Sequence, residues 1–146
     1  MKRELAFFLP ALLVGVADQL TKLWVRSYLT VGESVPLLGP VRLTHVANPG
    51  AVFGLPGHPL VLIALILIVL FVLVLTYRQP YFDSLLLRPV LGMLLGGGVG
   101  NLIDRLRLGY VTDFVDLRVW PVFNLADSVI VVGTIALLYF VLFPKR

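Results

Sequence analysis

Runs of apolar residues long enough to cross a bilayer occupy four stretches of the chain, about 5–28, 60–77, 85–103 and 124–143. The first follows Lys2 and Arg3 and begins like a signal peptide. No small-residue cleavage site follows its apolar core, so it is expected to be retained. The second is free of charge from Leu60 to Tyr77, with Pro59 at a position where a helix tolerates proline. The third opens on Arg88-Pro89, where Arg88 is expected to snorkel toward headgroups. The fourth ends at Pro144-Lys145-Arg146. Between the first two runs, Val41 to Val46 alternates apolar and polar after a Gly39-Pro40 turn, a strand pattern.

The pattern predicts an all-α membrane protein: one domain over 1–146 with four transmembrane helices and both termini on one side. Composition agrees. Only 14% of residues are charged and mean hydropathy is +0.98, whereas soluble domains are about 25% charged. Lys2, Arg3, Arg78, Arg88, Lys145 and Arg146 all fall at segment ends on one side. That distribution follows the positive-inside rule and makes this side cytoplasmic; it does not resemble a nucleic-acid-binding stripe, despite a pI near 9.8. The connections 29–57 and 104–123 then face outward. With no cysteine, disulfides, thiolate metal sites, a cysteine nucleophile and a lipid-anchored cysteine are excluded. His45 and His58 lack metal-ligand spacing, and no metal or cofactor is expected.

Six of the eight acidic residues (Asp18, Glu33, Asp104, Asp113, Asp116 and Asp127) lie in or beside the outward regions. At about 1.5 Å per helical residue, Asp18, Asn101, Asn124 and Asp127 reach one level, in the outer third of the membrane. Lipid cannot satisfy such groups, so a bundle turns them inward and pairs them. Asp18 and Lys22 are four apart on one helix face, a spacing that equally suits a self-neutralising ion pair. Asn101 and Arg105 repeat the spacing, with an interfacial arginine as the alternative for Arg105. Gly92, Gly96 and Gly100 form a small-residue face for close helix approach.

Asp113 and Asp127, fourteen residues apart, are the candidate chemistry. Two carboxylates in one site share a proton: one deprotonates water while the other polarises a carbonyl. No serine lies in a G-x-S-x-G turn, and Ser128 has no basic helical neighbour, which argues against a serine hydrolase. Three alternatives remain on these residues alone. The acids form an ion or proton pathway that includes Asp18, they are neutralised by Arg105, Arg107 or Arg118, or the polar cluster holds together a non-catalytic assembly factor.

Five stretches in order resemble the lipoprotein signal peptidase (signal peptidase II) family of bacterial aspartic peptidases. They are Asp18-Gln19-Leu20-Thr21-Lys22, Asn48-Pro49-Gly50-Ala51-Val52-Phe53-Gly54, Gly96 through Arg105, Val111-Thr112-Asp113-Phe114, and Pro121 through Asp127. The resemblance implies that Asp113 and Asp127 are the catalytic dyad. It makes Asn101, Arg105 and Asn124 supporting residues, Asn48 a substrate contact, and Asp18 with Lys22 stabilisers of the site. It further implies a small extracytoplasmic β-cradle, a short amphipathic segment at about 106–119, a multi-pass location in the bacterial inner membrane, and a monomer. The implied partners are membrane lipids and a prolipoprotein carrying a diacylglyceryl cysteine, cut on the N-terminal side of that cysteine. Pro49, Val52 and Thr112 depart from the usual pattern, and the spacer between the aspartates is short.

Overall fold

A computed structural model describes residues 2–50, 58–82 and 84–143. Its element order is α1 (Lys2–Tyr28), β1 (Ser34–Leu38), β2 (Val41–Asn48), α2 (Pro59–Tyr77), a short 3-10 turn (Pro80–Phe82), α3 (Leu87–Leu108), β3 (Val111–Asp116) and α4 (Leu125–Leu142). The four expected helical stretches are all helices. Three of them, α1, α2 and α4, are long and apolar enough to cross a membrane. α3 differs because it carries Arg88, Asp104 and Arg105 and packs against the other three helices. The chain ends and the Ala51–Gly54 part of the second motif lie outside the described residues.

Glycine lets α3 occupy that central place. A Cβ on Gly92 would collide with the Phe7 carbonyl, and one on Gly96 with the Ala11 carbonyl, so both helices meet there at backbone distance. Gly97 faces Ala126 and Ile130 of α4 at 3.0 Å from such a Cβ. Lipid-facing surfaces are correspondingly apolar: Leu12, Phe71 and Leu142 are exposed, as expected where hydrocarbon replaces water.

At one end of the bundle Glu4, Tyr77 and Arg88 converge. Tyr77 donates to Glu4, and the Arg88 guanidinium lies 4.6 Å from the Tyr77 ring centroid and 3.6 Å from Glu4. Arg88 is therefore buried and does not snorkel. A cation over an aromatic face beside a carboxylate gains more than one reaching through lipid. The cluster joins the start of α1, the end of α2 and the start of α3 at one level, as alternating helix directions require.

The opposite end carries an antiparallel sheet in the order β1-β2-β3. The strand expected over 41–46 is β2. Val25 of α1 and Leu29, the residue just past that helix, pack with Leu43 and Phe114, which seats the sheet on the end of α1. His45 is buried there and donates Nδ1–H to the Leu29 carbonyl at 2.9 Å, so it secures the sheet. The amphipathic segment expected over 106–119 is not present: its first residues finish α3 and its centre is β3, buried along nearly its whole length. Gly109, at φ 80°, ends α3 in the left-handed conformation, and the chain turns directly into the strand.

Replacing Gly96 with leucine is expected to force α1 and α3 apart and destabilise the fold by about 1–3 kcal/mol. Thermal unfolding in detergent measures it. A melting temperature equal to that of the native chain would disprove the close approach.

Candidate active site

Asp127 owes its position to the start of α4. Asn124 caps the helix in extended geometry, its Oδ1 accepting from the Asp127 N–H at 2.9 Å while Asp127 Oδ2 accepts from the Asn124 N–H at 3.3 Å. This reciprocal box satisfies donors that a helix otherwise leaves open. Asp113 comes from β3, opposite Val46 of β2, two residues before Asn48. One acid is thus fixed by a helix cap and the other by sheet register.

Amides join them. Asn124 Nδ2 donates to Asp113 Oδ1 at 2.7 Å, Asn48 Nδ2 to Asp113 Oδ2 at 2.8 Å, and Asn101 Nδ2 to Asp127 Oδ1 at 2.8 Å. Asn124 also donates to Asn101 Oδ1 at 3.2 Å. Behind this row, Lys22 Nζ donates to the same Asn101 oxygen at 2.8 Å and pairs with Asp18 at 2.8 Å, both side chains wholly buried. Asp18 Oδ1 accepts the Ala126 N–H at 3.0 Å, so the ion pair also clamps the first turn of α4. Asp18, Lys22, Asn48, Asn101, Asp113, Asn124 and Asp127 accordingly lie in one cluster. Asp18 and Lys22 do form an ion pair, and it holds α1 to α4.

Arg105 is half-buried and donates to the Gly50 carbonyl at 2.9 Å, with its positive charge facing Asp127, Asp113 and Asp104. It is not a free interfacial arginine. Gly50 N–H donates to Asn48 Oδ1 at 3.0 Å, so the extended Asn48-Pro49 backbone closes into a turn that Arg105 holds.

Both aspartates line one cavity of about 700 Å³. Its polar end consists mainly of Asn48, Asn101, Arg105, Asp113 and Asp127; its walls are apolar, with Leu65, Ile66 and Val69 from α2, Val131 from α4, and Trp120. Asp113 itself is 2% exposed. Burial pushes its carboxyl up from the ordinary 3.8 to about 6; the Asn48 amide opposes the shift, the Asp127 charge adds to it, and the Asn124 amide and Lys22 charge oppose it. An acid that takes a proton this readily, lining the same cavity as a second acid and tied to it through Asn124, is equipped for general acid–base work.

Residues 10–143 match the family described as Signal peptidase (SPase) II. The chain belongs to the signal peptidase II family. It is an aspartic peptidase of the membrane. Its relatives include the lipoprotein signal peptidases of Moorella thermoacetica, 49% identical over 94% of this chain and 93% of that protein, and of Halothermothrix orenii, 41% identical over 91% and 92%. A bacterial membrane enzyme solved by the in meso method at 2.3 Å superposes with a TM-score of 0.86 at 30% identity, covering 92% of this chain and 85% of that one. A second, at 1.9 Å, gives 0.85 at 29% identity, with coverages of 94% and 92%.

A further buried acid, Asp104, stands behind the site without a role legible in the sequence. Asp104 is 1% exposed; its Oδ2 accepts the Thr112 N–H at 2.9 Å and its Oδ1 accepts from Gln19 at 3.2 Å. Only its place inside the third motif, beside Arg105, hinted at importance.

The raised Asp113 sets a pH dependence of stability. Above about pH 6 the folded chain carries a buried charge that the unfolded chain solvates. As pH falls from about 6 toward 3.8 the folded state gains the proton first and is relieved. Relative to Asp113→Asn, the native chain should therefore gain up to about 3 kcal/mol over that interval. Unfolding curves of both proteins across pH 4–8 measure this, and a constant difference would refute it.

Proposed function

We propose that the chain removes signal peptides from diacylglyceryl-modified prolipoproteins, cutting on the N-terminal side of the lipidated cysteine with water activated by Asp113 and Asp127. The single observation that supports this most is the shared cavity: two carboxylates at the polar end of an otherwise apolar space, tied through Asn124. A lipid-anchored peptide has that same polarity, acyl chains on one side and a peptide bond at headgroup depth on the other. The apolar walls take up the hydrocarbon and so hold the scissile bond beside the acids, replacing a chance encounter with a fixed orientation.

The pair enters the reaction with one proton between its two carboxyls, and burial eases uptake of that proton at Asp113. Asp127 lies in the first turn of α4, at the positive end of that helix's dipole. Asp127 takes a proton from water as the water attacks the peptide carbonyl, and Asp113 donates its own to the carbonyl oxygen. The intermediate collapses when Asp127 passes the proton to the departing nitrogen and Asp113 recovers its own from the former carbonyl oxygen. Asn101 and Asn124 hold the two carboxylates by donating to Asp127 and Asp113 respectively. Asn48 and Arg105 hold the Asn48–Gly50 turn at the rim, where substrate backbone passes.

The reading extends to four membrane spans, with α3 crossing as the shielded central helix, both termini in the cytoplasm, and the site near the outer face of the bacterial inner membrane. The reading takes the chain to act as a monomer.

Asp113→Asn and Asp127→Asn should each lower cleavage of a diacylglyceryl-modified prolipoprotein by at least about 100-fold, the scale of lost acid–base catalysis, while the proteins remain folded. A gel-shift assay on the purified variants decides it, and processing at the native rate by either would exclude the dyad. Single cysteines placed at Met1 and Arg146 should both react with impermeant reagents only from the cytoplasmic side. Labelling from opposite sides would exclude an even number of spans.

A further inference from the structure

β3 is an edge strand of the sheet, and Thr112, immediately before Asp113, is held from outside the sheet at two points. Its backbone N–H donates to Asp104 Oδ2 on α3 at 2.9 Å. Its hydroxyl accepts from Arg26 on α1 at 2.8 Å. Arg26 in turn lies 3.5 Å from Asp104 Oδ1, and Gln19 donates to that oxygen at 3.2 Å. Thr112 and Asp104 are fully buried. Asp104 is not required to neutralise Lys22, which already pairs with Asp18 at 2.8 Å and stands 3.6 Å from Asp104.

We propose that Asp104 and Arg26 are positioning residues for Asp113, acting by clamping Thr112 against α1 and α3. The proposal rests on the reading of Asp113 as a dyad member. Successive strand residues point to opposite faces. Holding the Thr112 side chain toward Arg26 therefore turns the Asp113 side chain the other way, toward Asn48 and Asn124. A strand slipped by one residue would exchange the two faces and withdraw the carboxylate from the cavity. Beyond Asp113, Phe123 pairs with the far edge of β3, but the stretch before Asp113 has a strand neighbour, β2, on one side only, and its register there depends on other partners. Asp104 supplies a fixed acceptor at that open edge, and Arg26 supplies a fixed donor to the side chain. Neither touches Asp113, so the effect passes through one residue of backbone.

The test uses the full-length chain with a diacylglyceryl-modified prolipoprotein peptide, and reads kcat and KM per folded molecule. Asp104→Ala should lower kcat by about 100-fold, the effect of displacing a reacting group by about an ångström, with KM within about twofold of native. Asp104→Asn retains an oxygen that accepts the Thr112 N–H and should recover at least about tenfold of that loss. Thr112→Val preserves shape, removes only the bond from Arg26, and should lower kcat about tenfold. A native kcat per folded molecule in Thr112→Val or in Asp104→Ala overturns the proposal, as does a change confined to KM. Should Asp104→Ala fail to fold, Thr112→Val decides alone. Asp113→Asn, measured alongside, separates the two ideas. If that variant is inactive while Thr112→Val turns over normally, only the clamp fails; if it cleaves at the native rate, the dyad itself fails.

Discussion

The site depends on the hydrogen bond from Lys22 Nζ to Asn101 Oδ1, 2.8 Å long and wholly out of solvent on the lysine side. An ammonium only donates, so it dictates that the Asn101 amide presents its oxygen to Lys22 and its nitrogen to Asp127. The second amide is oriented by the same logic, because the Asp127 backbone N–H donates to Asn124 Oδ1 and leaves Asn124 Nδ2 for Asp113. Two groups without any acceptor capacity, a lysine and a peptide N–H, thereby fix which way both asparagines face. Each acid receives a donor whose direction cannot invert without breaking a buried bond.

A cation in that place is tolerated only with compensation. Asp18 provides it at 2.8 Å, yet removing two charges from water costs more than an isolated pair returns unless further bonds are made. Here Asp18 also accepts the Ala126 N–H, and Lys22 also donates to Asn101, so the pair is spent on joining α1 to α3 and α4. Room for the Asp18 carboxylate exists because Gly100 has no side chain; a Cβ there would fall on Asp18 Oδ2. The glycine face read as packing is therefore continuous with the chemistry. Gly92 and Gly96 bring the helices together, and Gly100 admits the charge that their approach would otherwise exclude.

Much of this was legible in the sequence because lipid imposes sharp rules. Long apolar runs located the four helices, polar residues at matching heights located Asp18, Asn101, Asn124 and Asp127, and the four-residue spacing from Asp18 located Lys22. Three features escaped. β3 is buried on both faces, so it lacks the alternation that reveals a half-exposed strand like β2. Arg88 sits at a helix end, where snorkelling is the default, and its partners Glu4 and Tyr77 are distant in sequence. Asp104 binds a backbone N–H, a partner that no residue pattern displays. The departures at Pro49 and Thr112 acquire physical sense in the same way. The first suits the extended residue before a turn, and the second gives Arg26 an acceptor.

The short spacer between the aspartates is compatible with an intact pair because the residues between them are not what spaces them. Phe123 returns to β3, its carbonyl accepting from the N–H groups of Phe114 and Val115 at 3.0 and 2.8 Å and its own N–H donating to the Val115 carbonyl at 3.1 Å. That bridge closes the segment at its base, two residues beyond Asp113 and one before Asn124. What lies above it, with Arg118 in a left-handed turn and Val119 90% exposed, is excluded from the geometry of the acids. Length there changes the shape of the cavity mouth, through Trp120 and Pro121. The separation of the carboxylates is set below the bridge, by sheet register on one side and the helix cap on the other.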